Sequence, residues 1–444
     1  MIRGVAVRVY VESYGCTQNL GEGHRIQRDL HDAGFALADR PEAADAGVLV
    51  TCGVIGPTEA RMVRRWRAMA RTLPQVVVTG CLVPLREQLF DGPERQRTRL
   101  VPIREQRSIP GLLHAPEERV ETAPPGSTGP EAQTPAVREI VLAQGCTSHC
   151  TYCFSRLARG RLSSRPLPEL RGLVAAAVAD GAVEIRLSSL DTSCWGLDLD
   201  GRPRLPDLLR SLGARAARYR VRVGMMSPQT LAPIADAYFD ALAEAPAFGY
   251  LHLPIQSGSD AVLREMRRGY DVATVRRLVA SARRRIPELM LATDVIVGFP
   301  TERPADLEAT VDLVEELAPE VVNVTRFSPR PMTPAALLPP IASAEVKRRS
   351  RRLTESRLRL ARRRLERWIG RTETAWVVEP GSGGSQIARL ENYLPVVLDG
   401  RRPLGRRIEV RIDGARSTYL VGRERASGGP PTPPDAINTG PGPF

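Results

Sequence analysis

From Val5 to Cys81 the chain alternates three apolar runs, VAVRVYVESYG, AGVLVTCG and PQVVVTGC, with two helix-like stretches, Gly21 to Ala33 and PTEARMVRRWRAMART. This βαβαβ order predicts an open parallel sheet, because neighbouring parallel strands are joined by crossover helices. The carboxyl ends of such strands open on one shared crevice. Cys16, Cys52 and Cys81 each fall at the end of an apolar run, so residues far apart in sequence are expected to meet as three thiols. Three buried core cysteines are the other reading, which their common strand-end position disfavours.

A second triplet is local. Cys146, Cys150 and Cys153 lie in VLAQGCTSHCTYCFSRLARG, spaced Cys-x3-Cys-x2-Cys. Iron–sulfur clusters are held by thiolates, usually four, so a triplet with no fourth cysteine nearby leaves one iron for an external ligand, and S-adenosylmethionine fits that place. A structural zinc site is the competing reading. Zinc takes four closed ligands and His149 offers a fourth, but its adjacency to Cys150 makes joint tetrahedral ligation awkward. Cys194, with no partner near it in sequence, is expected to be a buried structural thiol.

A length of 444 residues exceeds what one core organises and allows about three domains. A hydrophobic share of 42% is ordinary for a globular protein. No apolar stretch approaches the ~20 residues that cross a bilayer. The N-terminus runs straight into strand-like sequence without a signal-peptide pattern, so residence in the cytoplasm and reduced thiols are expected. The net charge of +13 points to a polyanionic partner. Arginine supplies nearly all of it, Lys347 being the only lysine. The charge clusters in EVKRRSRRLTESRLRLARRRLERWIGR, where Leu353, Leu358, Leu360 and Leu365 suggest an apolar side with a cationic remainder. A solvated surface helix is the plainer reading of that run.

Residues His114 to Pro135 are rich in Pro, Gly, Glu and Thr without apolar period and read as a linker, as does the tail SGGPPTPPDAINTGPGPF. Between them, REIVLAQGC, AVEIRLSSLD, YRVRVGMMSP, FGYLHLPIQSGSD and LATDVIVGFP alternate with helical segments. Such βα units predict a partial barrel with its ligands at the carboxyl ends of the strands. From Trp368 to Glu424, TETAWVVEP, NYLPVVLDG, RRIEVRIDGA and STYLVGRE read as strands of a small barrel, a class that commonly binds RNA. The expected units are 1–113 (sheet domain), 114–135 (linker), 136–366 (partial barrel with the trailing basic helix), 367–424 (small barrel) and 425–444 (disordered tail). Trimming the chain before Trp368 is expected to weaken RNA binding.

In order along the chain, YGCTQN, TCGVIGPTEAR, QGCTSHCTYCFSRLARG, RVGMMSP, HLPIQSGSDAVLREMRRGY, TDVIVGFP and FSPRPMTPA resemble the motifs of the radical S-adenosylmethionine methylthiotransferases. They look most like the tRNA threonylcarbamoyladenosine methylthiotransferases of archaeal and eukaryotic type. The resemblance implies an α/β multidomain chain: an N-terminal open parallel α/β sheet, a central partial (β/α)6 radical SAM barrel and a C-terminal TRAM β-barrel. It implies two [4Fe-4S] clusters, one on Cys146, Cys150 and Cys153 and one on Cys16, Cys52 and Cys81. It also implies S-adenosylmethionine, tRNA, and an electron donor such as flavodoxin or ferredoxin, with the chain a monomer and no membrane involved. The reaction implied is methylthiolation at C2 of N6-threonylcarbamoyladenosine beside the anticodon, through a 5′-deoxyadenosyl radical.

The resemblance also marks single residues. Tyr152, between two of the cysteines, would border the adenine of the cofactor or simply shield the cluster; Ser189 and Asp191 would bind its amino group or ribose or be ordinary strand-end polarity; and by its strand-end position Gln256 would project into the barrel mouth. Arg159 would offer a cation to a carboxylate or phosphate. No acid–base catalytic residue is assigned. Leu190 replaces an acid of the family pattern, and Thr301 and Met332 stand where glycines are usual, a strained choice if the backbone there has positive φ. Three alternatives stay open: isopentenyladenosine tRNA as substrate, a ribosomal-protein aspartate as substrate, or a noncatalytic iron–sulfur RNA-binding protein.

Overall fold

The computed structural model describes residues 7–53, 56–113 and 136–425; the run 114–135 and residues 426–444 of the tail lie outside the described residues. Five parallel strands open the fold: β1 (Arg8–Ser13), β2 (Ala36–Ala38), β3 (Ala46–Thr51), β4 (Gln75–Gly80) and β5 (Thr98–Leu100). Their order is β2-β1-β3-β4-β5. Strand β3 is buried on both faces. Val48 and Val50 meet Ile26 and Leu30 of the helix Thr17–Asp32 on one side, and Leu49 meets Met62, Trp66 and Met69 of the helix Gly56–Thr72 on the other. Parallel strands covered by helices on both faces read as near-continuous apolar runs, which is why they were legible. Trp66 Nε1 also donates to Thr98 Oγ1 at 2.9 Å, and Trp66→Ala would cost about 3–5 kcal/mol.

The central region begins at β6 (Val137–Val141). A two-residue antiparallel pair, β7 (Ala143–Gln144) with β8 (Ser163–Ser164), then closes the base of the cysteine-bearing loop. Strands β9 (Glu184–Ser188) and β10 (Arg220–Val223) join β6 in one parallel sheet. Strands β11 (Tyr250–His252), β12 (Met290–Val297) and β13 (Val321–Arg326) form another. Bonds from Val221 N to Pro246 O (2.7 Å) and from Phe248 N to Val221 O (2.9 Å) stitch β10 to β11. The result is a six-stranded open barrel in the order β6-β9-β10-β11-β12-β13. The edge strand β13 has no clean apolar period, and the sequence reading did not name it.

Strands β14 (Thr372–Pro380), β15 (Gln386–Leu390), β16 (Pro395–Leu398), β17 (Arg407–Ala415) and β18 (Leu420–Glu424) close a small barrel in the order β14-β15-β16-β18-β17. Strand β15 is the one the sequence reading passed over. This barrel seals the amino-terminal floor of the partial barrel. Val137, Tyr250 and Met290, the first residues of β6, β11 and β12, share one apolar cluster with Trp376, Tyr393 and Leu394. Tyr393 Oη donates to Glu184 Oε1 at 2.8 Å, and Arg220 pairs with Glu391 at 2.8 Å. Removing residues 367–444 would therefore uncover the floor itself, so truncation tests folding as well as RNA binding.

The basic run forms the helix Ser343–Glu366. Leu353, Leu360 and Leu365 are buried as the period predicts, while Leu358 is exposed. Much of the cationic remainder is ion-paired. Arg349 pairs with Glu345 (2.7 Å) and Glu302 (3.3 Å), Arg352 with Glu308 (3.2 Å), Arg359 with Glu315 (3.3 Å) and Arg364 with Glu320 (2.5 Å). Most of these acids stand on or beside the neighbouring helix Pro304–Leu317. Counting acids within the run alone could not reveal them.

Candidate functional site

At the carboxyl end of the N-terminal sheet, winding reverses between β1 and β3, the place where such sheets bind ligands. Cys16 follows β1 and precedes the helix Thr17–Asp32, Cys52 follows β3, and Cys81 follows β4. The Asn19 amide ties these ends together by donating to Tyr14 O (2.6 Å) and Thr51 O (3.0 Å), and Cys81 N donates to Thr51 O (3.0 Å). Gly15 has φ +108, and a Cβ there would stand 2.7 Å from Cys52 Sγ, so the strand end must stay bare beside the thiol. Burial pushes the Cys81 thiol up to about 12; Arg159 pulls it down, and Glu22, Cys16 and Cys52 push it further up. Cys16 and Cys52 are thus both near enough to Cys81 to act on its thiol.

In the second triplet each sulfur has an N–H aimed at it. Ser148 N donates to Cys146 Sγ (3.3 Å), Arg156 N to Cys153 Sγ (3.4 Å) and Arg268 Nη1 to Cys150 Sγ (2.9 Å). Burial pushes the Cys153 thiol up to about 11, and Cys150 adds to the rise. Arg268, itself buried, is held by Tyr270 Oη (3.1 Å), which bonds Pro254 O and Ile255 O at the end of β11. His149 bonds Arg156 Nη2 at 3.0 Å. Among the described residues no three His, Cys, Asp or Glu side chains approach closely enough to grip one metal ion. Zinc needs its donors on one tetrahedron roughly 2.0–2.3 Å from the metal, whereas a cubane spreads three thiolates over separate irons. Three cysteines without a fourth protein ligand are the donor set of a cubane with one open iron rather than of a closed zinc site.

The two triplets flank one interdomain contact. A Cβ on Gly53 would stand 2.7 Å from the Phe154 ring and 2.6 Å from Leu82, so residues next to Cys52, Cys81 and Cys153 touch. Beside them Arg159 is enclosed and ion-paired with the buried Glu22, and it donates to Asn19 Oδ1 (2.6 Å) and Gln144 Oε1 (2.7 Å). Its cation is thus committed to an acid of the other domain and is not offered to a ligand. Sequence reasoning missed Glu22, because a lone acid in a polar helix carries no signal.

Around the mouth, Tyr152 packs on Val262, Met266, Phe299 and Ala335, and burial raises its phenol. Gln256 sits at φ +63; its backbone bonds Asp294 O and Ile296 N, while its carboxamide makes no hydrogen bond among the described residues. Ser189 Oγ bonds the Asp191 backbone at 3.2 Å. The Asp191 carboxylate accepts from Ser193 N (3.1 Å), Ser193 Oγ (2.6 Å), Ser227 N (3.1 Å) and Thr230 Oγ1 (2.6 Å), which clamps the ends of β9 and β10 together. Ser188 and Ser227, which the sequence reading passed over, bury hydroxyls that have no partner among the described residues at those same ends. These orphans, with the Gln256 amide, leave polar groups at the mouth that a bound ligand would satisfy. Leu190 is half-buried beside them. Cys194 is buried and donates to Asp191 O at 3.1 Å. Thr301 is exposed and outside the left-handed region, whereas Met332 has φ +66.

Residues 140–314 match the family described as the Radical SAM superfamily, residues 8–97 Uncharacterized protein family UPF0004, and residues 366–423 the TRAM domain. A Pyrococcus horikoshii protein named probable threonylcarbamoyladenosine tRNA methylthiotransferase is 35% identical over 430 residues, covering 94% of this chain and 99% of its own. Its namesake from Methanothermobacter thermautotrophicus is 33% identical over 423 residues, with the same coverage. A tRNA-2-methylthio-N(6)-dimethylallyladenosine synthase from Chloroflexus aurantiacus is 33% identical over 380 residues, covering 82% of this chain and 80% of its own. Among solved structures, the radical S-adenosylmethionine methyltransferase TsrM from Kitasatospora setae shares the fold: TM-score 0.56 at 15% identity, over 75% of this chain and 77% of that one.

Proposed function

Because the chain belongs to the radical S-adenosylmethionine methylthiotransferases, most like the threonylcarbamoyladenosine tRNA branch, we propose that it adds a methylthio group to C2 of N6-threonylcarbamoyladenosine beside the anticodon of tRNA. The observation that supports the reading is the close approach of Gly53 to Phe154, which joins the neighbours of Cys52 and Cys153, one residue from each triplet. Cys146, Cys150 and Cys153 would hold one [4Fe-4S] cluster and Cys16, Cys52 and Cys81 the other. When bound, the first supplies the electron that cleaves S-adenosylmethionine and the second the sulfur. The chain's own residues then have three tasks. The Glu22–Arg159 pair holds the two domains in register. Ser188, Ser227 and Gln256 orient the cofactor. The closed floor excludes water while a splayed base enters from the mouth.

The threonylcarbamoyl substrate is inferred from the relatives, since the chain matches a probable threonylcarbamoyladenosine tRNA methylthiotransferase over 94% of its length and a dimethylallyladenosine synthase over 82%. The working units we assign are residues 1–113, 136–366 and 367–424, acting as a cytoplasmic monomer with a flavodoxin or ferredoxin as donor. Reconstituted protein, incubated without oxygen with S-adenosylmethionine, reductant and tRNA bearing threonylcarbamoyladenosine, is expected to yield the 2-methylthio nucleoside by mass spectrometry. Product from isopentenyladenosine tRNA alone would overturn the substrate. Cofactor cleavage without any methylthio product would overturn the reaction.

A further inference from the structure

Arg330, Pro331, Met332 and Thr333 form a turn closed by a bond from Thr333 N to Arg330 O, 3.2 Å. A turn with proline second and a left-handed residue third takes Gly or Asn at that third place, because a larger side chain there meets the backbone. Here the third residue is Met332, at φ +66. The turn cannot relax away from this conformation, since both ends are pinned. Arg330 is buried, ion-paired with Glu59 and stacked 4.6 Å over the Phe154 ring. Thr333 Oγ1 returns to Arg330 O (2.6 Å), and Ala335 N bonds Thr151 O (3.0 Å) between Cys150 and Tyr152. Packing gives Met332 nothing in return, because its side chain is 70% exposed. Leu337, 88% exposed, follows on the same segment.

The segment hangs beside the Cys146–Cys153 loop, at the mouth through which a target atom must pass. Next to it, a cleft of about 480 Å³ runs from Pro57 along Arg326 to Ser328. Arg326 is exposed and makes no ion pair among the described residues, unlike most arginines of the basic helix. Arg326 lies six residues before Met332 on the segment that leads from the cleft into the turn, and a free cation and exposed apolar side chains on one segment suit one occupant, a single-stranded nucleic acid. A polarisable thioether covers the face of a base, and a guanidinium meets the adjoining phosphate. We propose that Met332 and Leu337 form an apolar lip on which an unstacked base of the RNA substrate rests as the target adenosine enters, with Arg326 on the neighbouring phosphate. The lip rests on the RNA-modifying reading above.

Met332→Gly separates a structural role from this one, because relief of strain and loss of the lip move two readouts in opposite directions. In the full, cluster-loaded chain the melting midpoint is expected to rise by about 2–4 °C. The Kd for a synthetic anticodon stem-loop bearing threonylcarbamoyladenosine is expected to rise about 3- to 10-fold. Leu337→Ser should weaken binding similarly without the thermal gain, and Met332→Leu should keep wild-type affinity. A stabilised Met332→Gly protein that binds the stem-loop as tightly as wild type overturns the lip and leaves the RNA reading standing. Wild-type protein that cleaves S-adenosylmethionine yet fails to bind the stem-loop overturns both, pointing to a protein substrate at this mouth.

Discussion

The two thiol triplets reach the same mouth by opposite routes. Cys146, Cys150 and Cys153 are held within one short loop, and their sulfurs take N–H groups from that loop and from Arg268. Cys16, Cys52 and Cys81 are brought together only by the order of three strands, and their surroundings include an arginine from another domain. A local triplet depends on a few residues of chain, whereas a strand-end triplet depends on the whole sheet and on what docks against it. The difference says where each site is vulnerable.

The largest effects should separate the triplets outright. Cys150→Ala is expected to abolish formation of 5′-deoxyadenosine. Cys52→Ala should preserve that cleavage while removing about half of the iron and all methylthio product, read by iron analysis and nucleoside mass spectrometry. Equal loss of cofactor cleavage in both variants would break the comparison.

Glu22→Gln comes next. It leaves Arg159 buried without its anion, at a cost of about 3–5 kcal/mol, so thermal denaturation should show a lower midpoint. Iron held by Cys16, Cys52 and Cys81 should be lost on warming before iron held by the barrel loop. Simultaneous loss would mean that the two sites share one scaffold.

Arg268→Met is a smaller, one-sided change. Removing a cationic donor from Cys150 should make the potential of the barrel cluster more negative, on the order of tens of millivolts, with the other cluster unmoved in a redox titration followed by electron paramagnetic resonance. The smallest effect is expected far from both triplets. Arg352→Gln with Arg359→Gln removes two exposed, paired charges worth under about 1 kcal/mol each, and RNA affinity should change less than about twofold. A large loss there, steep in salt, would return RNA binding to the basic helix.

Much of this was legible because period and spacing are local properties. Apolar runs marked β1, β3 and β4 and so put Cys16, Cys52 and Cys81 at strand ends, and Cys-x3-Cys-x2-Cys is a spacing within one loop. Strands β13 and β15 escaped because the edge strand β13 is only partly buried and β15 buries Gln386 and Ala388 beside Leu390, so neither carries a strong apolar signal. The fate of the arginines escaped for another reason. Arg352 finds Glu308 and Arg364 finds Glu320 across 44 residues of chain, and charges cancel through space rather than along sequence.

By itself, then, the sequence determined the strand–helix order, the two sets of cysteines and the family to which the motifs belong, all of which follow from residue type and spacing. Tertiary structure alone decided that Arg159 closes on Glu22, that Asp191 clamps two strand ends, that the small barrel seals the floor, and that Met332 holds a left-handed turn open to solvent. Those outcomes depend on which surfaces are buried against each other. Burial makes an unpaired charge or polar group costly, so partners are fixed by packing between segments that no local pattern connects.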